Sequence, residues 1–193
     1  DNPLPSWKQL SGTWNLHTAA DTAVERGDID EEANKQPEAD RSPNFYSLRG
    51  KGKSATILTG HPFYSRYSVT AAIKTEPATS GGILIYYKDA DNYLAWLRKH
   101  PHKNESETVF KLVEVRDGRA STLAQTQRLV PGDQWIKLGI KTYHNRIRCS
   151  IDSQQVIDIE HQLTTGGKFG LTATAEDNKS VFFDDLQAHS NED

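Results

Sequence analysis

Apolar and polar residues alternate along most of this chain. In "QWIKLGIKTYHN" (134 to 145), Ile136, Leu138 and Ile140 fall on one face of an extended backbone and Lys137, Gly139 and Lys141 on the other. In "RIRCSIDSQQVIDIE" (146 to 160), Arg146 and Arg148 oppose Ile147, Cys149 and Ile151, so one sheet is expected to expose a cationic face. Similar runs occur at 64 to 76, 81 to 88, 92 to 99, 107 to 118, 168 to 177 and 180 to 190, with an early pair at 10 to 18 and 55 to 60. No long segment repeats its apolar residues at helical spacing. The pattern predicts an all-β chain whose many short strands form a two-sheet antiparallel β-sandwich. Tight turns are predicted at "HNR" (144 to 146), at "RDGRA" (116 to 120), where Gly118 is free to take positive φ, and around Asp152 and Ser153.

The stretch "GGILIYYKDADNYLAWLR" (81 to 98) carries two apolar runs around an acidic centre. A helix-loop-helix calcium loop needs oxygen ligands at positions 1, 3 and 5 and glycine at 6, but here positions 5 and 6 are Tyr93 and Leu94. The segment therefore reads as strand, turn, strand. Alternation groups Leu84, Tyr86 and Lys88 against Ile83, Ile85 and Tyr87, and Leu94, Trp96 and Arg98 against Tyr93, Ala95 and Leu97. If Tyr86, Trp96 and Arg98 share an exposed face, then with Lys137 and Arg148 they form an aromatic and cationic surface suited to polar or anionic glycans. The competing reading packs Trp96 in the core and leaves the basic residues as a solvated face. Trp7, Trp14 and Trp135 sit beside strand starts, where framework packing is the simpler account.

Composition narrows the function classes. A length of 193 residues fits a single domain, 1 to 193, interrupted by one long polar loop at about 21 to 44, "DTAVERGDIDEEANKQPEADRSPN". A net charge of −3 gives no electrostatic footprint for nucleic acid. No apolar stretch approaches the roughly 18 residues that span a bilayer, so no membrane insertion is expected. The chain starts at Asp1 and contains no Met, which suggests a piece cut from a longer precursor or multidomain protein, with secretion as one reason. The lone Cys149 excludes an internal disulfide framework and a Cys-rich zinc site, and its phase predicts a buried apolar thiol.

Catalytic patterns are missing. There is no Gly-x-Ser-x-Gly elbow, phosphate loop or His-Glu-x-x-His. Asp28, Asp30 and Glu32 would share one face of a strand, as paired glycosidase acids must, but their flanks lack the apolar residues that hold a strand in a sheet. "HPH" (100 to 102) offers two imidazoles, yet Pro101 between them favours a solvated loop over a zinc site. No catalytic residue is assigned.

The ordered series "LSGTW", "GGILIYYKDADNYLAWLR", "LVEVRDG", "PGDQWIKLGI", "IRCSIDSQQVID", "GKFGLTA" and "VFFDDL" resembles the laminin G-like and concanavalin A-like jelly-roll superfamily, over Leu10 to Leu186. It is most similar to bacterial secreted domains related to the 3-keto-disaccharide hydrolase family and to lectin-like carbohydrate-binding domains. The resemblance implies a sandwich with one concave face, frequent glycan binding and often a structural calcium ion (Ca2+). It places that ion at the last strand, at Asp184 and Asp185, together with N-terminal carbonyls near Gly12 or Thr13. The expected function is a non-catalytic glycan-binding or accessory domain of a secreted, periplasmic or cell-envelope protein, acting through the concave face. The alternatives are a 3-keto-glycoside hydrolase and a laminin G-like protein-interaction module.

Overall fold

The computed structural model describes residues 6–18, 46–100, 107–130, 134–163, 166–176 and 178–191. These residues form twelve antiparallel strands and no helix: β1 (Lys8–His17), β2 (Ser47–Thr59), β3 (Tyr67–Thr75), β4 (Ser80–Asp89), β5 (Asn92–Lys99), β6 (Thr108–Arg116), β7 (Arg119–Arg128), β8 (Ile136–Tyr143), β9 (Arg146–Ile151), β10 (Gln154–Glu160), β11 (Lys168–Ala175) and β12 (Val181–Ser190). The polar stretch at 21 to 44, with Asp28, Asp30 and Glu32, lies outside the described residues, as do Pro101 and His102.

Two sheets share one long hairpin. The first runs β10-β9-β8-β3-β12 and closes on the start of β2, where Val181, Phe182 and Phe183 pair with Gly50, Arg49 and Leu48. The second runs β7-β6-β5-β4-β11 and closes on the rest of β2, from Gly52 to Thr59. β1 pairs with β2 on both sides of that crossing, so the hairpin bends from one sheet into the other near Lys51. Gly12 and Gly52 make the bend possible. Both have positive φ, 72° and 128°, and a side chain on Gly12 would collide with Ala55.

The alternation read from sequence sets the inner faces. Val69, Ala71 and Ile73 of β3, Leu138 and Ile140 of β8, and Ile147, Cys149 and Ile151 of β9 meet Ile83, Trp96, Phe110, Leu112 and Leu171 of the other sheet in one core. Cys149 is a fully buried free thiol, and burial pushes its pKa above the usual thiol range. The turns fall where the sequence puts them: Asp117, Gly118, His144, Asp152 and Ser153 all adopt positive φ. The acidic centre of 81 to 98 is a hairpin corner. There Asp89 Oδ1 accepts the Asp91 N–H and the Asn92 side-chain amide, each at 2.9 Å. The Asn92 amide, followed by the Asp91 N–H, holds the Asp89 carboxyl below its ordinary range.

Two elements differ from expectation. β2 begins at Ser47 rather than 55, and β7 follows the 117–118 turn where no strand is read in the sequence. β7 is an edge strand of mostly exposed Arg, Ser, Thr and Gln, so it carries no apolar alternation to detect.

Trp96 shows how strongly the two sheets depend on one another. It is fully buried, its ring lies 6.0 Å from Phe110, and its indole N–H reaches across to Ser150 O at 3.3 Å. Trp96→Ala is expected to cost about 3–5 kcal/mol. Urea unfolding would show this as a lower midpoint with an unchanged slope.

Candidate functional site

Tyr86, Trp96 and Arg98 are 3%, 0% and 0% exposed, which corrects the expectation that they form an open platform. Trp96 and Arg98 lie on the core-facing phase of β5. Arg98 spans the sandwich, donating from one guanidinium nitrogen to Ile73 O and Gln134 O, both at 3.0 Å. Lys137 and Arg148 lie on the solvent face of the first sheet, so the structure does not bring them together with the other three. Alternation along β5 could not choose between its faces because both are apolar. The outward set, Tyr93, Ala95 and Leu97, joins Leu58, Leu84 and Tyr87 in a second, smaller cluster.

Tyr86 turns inward for a different reason. Its φ of 50° marks a bulge that shifts the phase of β4 between Ile85 and Asp89. Tyr86 then packs on Tyr67 with ring centroids 5.3 Å apart, while Tyr87 emerges on the solvent face and stacks on Tyr93 at 5.6 Å and 22°. Hydrogen bonds fix the bulge. The Tyr86 N–H donates to the Tyr67 hydroxyl at 2.8 Å, and the Tyr67 hydroxyl donates to Gly167 O at 3.2 Å. Thr142 Oγ1 donates its proton to Tyr67 O at 3.1 Å, so the 3.0 Å contact with Tyr86 has the phenol as donor. The Tyr86 oxygen also accepts the Arg66 N–H at 3.1 Å. Burial pushes the Tyr67 phenol well above its ordinary pKa.

Beside this network a shallow cleft opens to solvent at one end of the sandwich. It lies where β5 begins and β6 ends beside the segment that follows β10, and Tyr86, Asn92, Tyr93, Glu114, Arg116, His161 and Gln162 are among its lining residues. Glu114 organises it. One carboxylate oxygen, Oε1, is 2.9 Å from His161 Nε2 and accepts from the Arg116 guanidinium at 2.7 Å. The side chains of Glu114 and His161 are 14% and 17% exposed, and that of Arg116 is 52% exposed. The His161 N–H donates to Asn145 O at 2.8 Å, which ties the post-β10 segment to the 144–145 turn. The cleft thus offers a carboxylate acceptor, imidazole, guanidinium and amide groups beside a tyrosine.

None of Glu114, Arg116 and His161 is chosen from the sequence, although one signal exists. Phe110, Leu112 and Glu114 share the core-facing phase of β6, and an acid in an apolar phase calls for a partner. His100, read as part of a solvated loop, is instead buried, with Nδ1 2.8 Å from Thr75 O.

Asp184 and Asp185 form a second bulge. Asp185 has φ 48°, and its N–H donates to Asp184 Oδ1 at 2.7 Å. The carbonyl partners implied by the resemblance do not lie beside them. Phe183 pairs with Leu48, which pairs with Leu16, while Thr13 lies three residues back along β1, roughly 10 Å away. Among the described residues no three His, Cys, Asp or Glu side chains group closely enough to hold a metal ion. The carbonyls near Gly12 and Thr13 are therefore not beside Asp184 and Asp185.

No protein-family model matches the chain, and no curated protein matches it by sequence. Solved structures do. The carbohydrate binding module CBM66 from Bacillus subtilis superposes with a TM-score of 0.69 at 17% identity, over 96% of this chain and 96% of that one. A GH43 protein from Bacillus licheniformis matches with a TM-score of 0.60 at 14% identity, over 96% of this chain but 39% of its own. A functionally unknown protein from Saccharomyces cerevisiae matches with a TM-score of 0.57 at 12% identity, over 94% and 97%. At these identities the likeness shows the fold.

Two measurements follow. Tyr86→Phe removes the phenol that accepts the Arg66 N–H and donates to Thr142 Oγ1, and is expected to lower stability by about 1 kcal/mol, read by urea unfolding. A calcium ion bound only by the folded protein would raise the thermal midpoint. From the geometry at Asp184 and Asp185, calcium and chelator are expected to give the same midpoint.

Proposed function

We propose that this chain is a non-catalytic glycan-binding module of a secreted or cell-envelope protein, and that the Glu114 cleft is its binding site. The observation that carries this reading is the Glu114 carboxylate, held on one oxygen by His161 and Arg116 beside Tyr93. Sugar hydroxyls both donate and accept hydrogen bonds, and a site that holds one needs fixed groups of each kind. Glu114 Oε2 accepts no hydrogen bond among the described residues, so it is free to take a hydroxyl proton. Arg116, Asn92 and Gln162 supply donors around it. The full-length likeness to a protein named as a carbohydrate binding module supports the same ligand class.

The competing reading is a glycoside hydrolase, which the partial likeness to a GH43 protein favours. Such chemistry generally uses two carboxylates about 5–9.5 Å apart across the bond. The described lining of the cleft contributes one, and its Oε1 is already bonded to Arg116 and His161. Binding therefore explains the site better than hydrolysis. Among the described residues no helix is long and apolar enough to cross a membrane.

A glycan array identifies the ligand, and titration calorimetry then measures two variants. Tyr93→Ala and Glu114→Gln are each expected to weaken binding about tenfold, the equivalent of roughly 1.4 kcal/mol, with unfolding midpoints checked alongside. If both bind like the unaltered protein, the cleft is not the site. Turnover of any arrayed glycoside would overturn the non-catalytic reading.

A further inference from the structure

We propose that the exposed loop between β2 and β3 is an aromatic subsite that takes the apolar face of a sugar ring, at the same end of the sandwich as the Glu114 cleft. The inference rests on the reading that the chain binds glycans, and it adds residues that the cleft does not contain.

Residues 61–66 of this loop are all exposed. Phe63 is 82% exposed and Tyr64 50%, and the His61 ring neighbours both, its centroid 5.1 Å from that of Phe63 and 6.1 Å from that of Tyr64. A single exposed apolar side chain is ordinary on a soluble surface, whereas three adjoining rings mark a place of contact. The loop holds these rings in a fixed arrangement. The Tyr64 N–H donates to His61 O at 3.1 Å, closing a tight turn in which Pro62 fixes the second position. The Gly167 N–H donates to Tyr64 O at 3.0 Å, the Arg66 N–H to the Tyr86 hydroxyl at 3.1 Å, and the Asn191 N–H to Arg66 O at 2.7 Å. Gly60 and Gly166 let the loop sit close to its support: both have positive φ, 82° and 71°, and a side chain would lie 3.2 Å from the Tyr64 ring at the first and 3.0 Å from Pro62 O at the second. Rings presented by a loop tied at so many points cost little further ordering when a ligand arrives.

The chemistry suits a sugar, which offers a C–H face to an aromatic ring and hydroxyls around its rim. His61 Nδ1 accepts the Phe63 N–H at 3.4 Å, so Nε2 carries the ring proton and is a donor for a sugar hydroxyl, while the Tyr64 hydroxyl both donates and accepts. The position suits it too. Gly167, bonded to Tyr64, lies against the Tyr86 backbone, and Tyr86 lines the cleft. Ile85, Leu94 and Glu114 are successive register partners, so Glu114 lies two strand spacings, roughly 10 Å, from the residue beside Tyr86. The two sites are therefore close enough for one oligosaccharide to run from the cleft to the aromatic loop. A lipid surface is the other ligand for a projecting aromatic tip. The neighbouring turns at this end carry Asp89, Asp91 and Asp117, whose charges an anionic bilayer repels.

The test runs the whole chain through native gels that contain xylan, mannan, galactan or fructan. At least one of these polysaccharides is expected to retard it. Phe63→Ala combined with Tyr64→Ala is expected to weaken that binding about tenfold without moving the unfolding midpoint, and Phe63→Tyr combined with Tyr64→Phe, which keeps both rings, to retain it. A double alanine variant retarded like the unaltered protein would overturn the subsite. So would capture of the protein through Phe63 and Tyr64 by vesicles of phosphatidylcholine and phosphatidylserine in place of polysaccharide. The two sites fail separately. Retardation that Glu114→Gln reduces and the double alanine change does not would leave only the cleft, and the reverse would leave only the aromatic subsite. If none of the four polysaccharides retards the unaltered protein, the subsite falls together with the glycan-binding reading on which it rests.

Discussion

The left-handed backbone at Tyr86 is the constraint on which the cleft end of the sandwich depends. Against β11 a bulge adds one residue to β4, and the strand changes face there: Tyr86 enters the core and Tyr87 leaves it. A tyrosine in this conformation is uncommon and must be held by its surroundings. Here the hold comes from both sheets, through Tyr67 and Thr142 of the first sheet and Gly167 at the entry to β11. Gly167 lies against the Tyr86 backbone so closely that any side chain would strike it. The bulge thus joins the two layers at one end, and the cleft lined by Tyr86, Tyr93 and Glu114 opens beside that joint. A site built on such a support keeps its geometry when a ligand arrives, which lowers the ordering cost of binding.

The opposite constraint is the β1–β2 hairpin, which belongs to both sheets. Trp14 makes this corner part of the core. It lies against Gly50, its ring centroid is 5.8 Å from that of Phe183, and its indole N–H donates to Ser11 O at 3.1 Å. A shared hairpin at the corner and a hydrogen-bonded bulge at the joint fix how the sheets sit on one another. Trp96 and Arg98 then span the gap between them with bonds to backbone carbonyls of the opposite layer.

Much of this is legible in the sequence wherever a strand has one apolar face. Ile136, Leu138 and Ile140 against Lys137 and Lys141 leave no doubt about which side is in, and a one-residue slip would bury the charges. Legibility fails for three physical reasons. β5 is apolar on both faces because its outer side belongs to a second cluster, so alternation identifies the strand without orienting it. β4 carries a bulge whose cause, the contact with Tyr67 and Gly167, comes from residues distant in sequence. β7 is polar because it is an edge. The candidate cleft shares the second limitation. Glu114 announces itself as an acid in an apolar phase, but its partner His161 lies across the fold and enters the cleft only once β10 is in place.

The two outer faces differ in chemistry, and one carboxylate sets the charge of the first. Asp158 occupies both of its oxygens with guanidinium groups, Arg146 at 2.6 Å and Arg148 at 3.2 Å. The Arg146 hydrogen bond, more than any other influence, holds the Asp158 carboxyl below its ordinary range. A depressed folded-state pKa means that the attraction is present above the unfolded value and is lost as pH falls through the lower folded value. Across neutral pH, then, the arginine charges at the β9–β10 edge are largely matched internally. Beside them on this face, Lys137 stands next to Asp152, whose carboxylate accepts the Lys137 N–H at 2.7 Å, and Lys141 stands opposite Arg148. The second sheet presents Tyr87, Tyr93 and Leu97 instead. One sandwich therefore separates an aromatic face from a charged one, and places a cleft with groups of both kinds at its end.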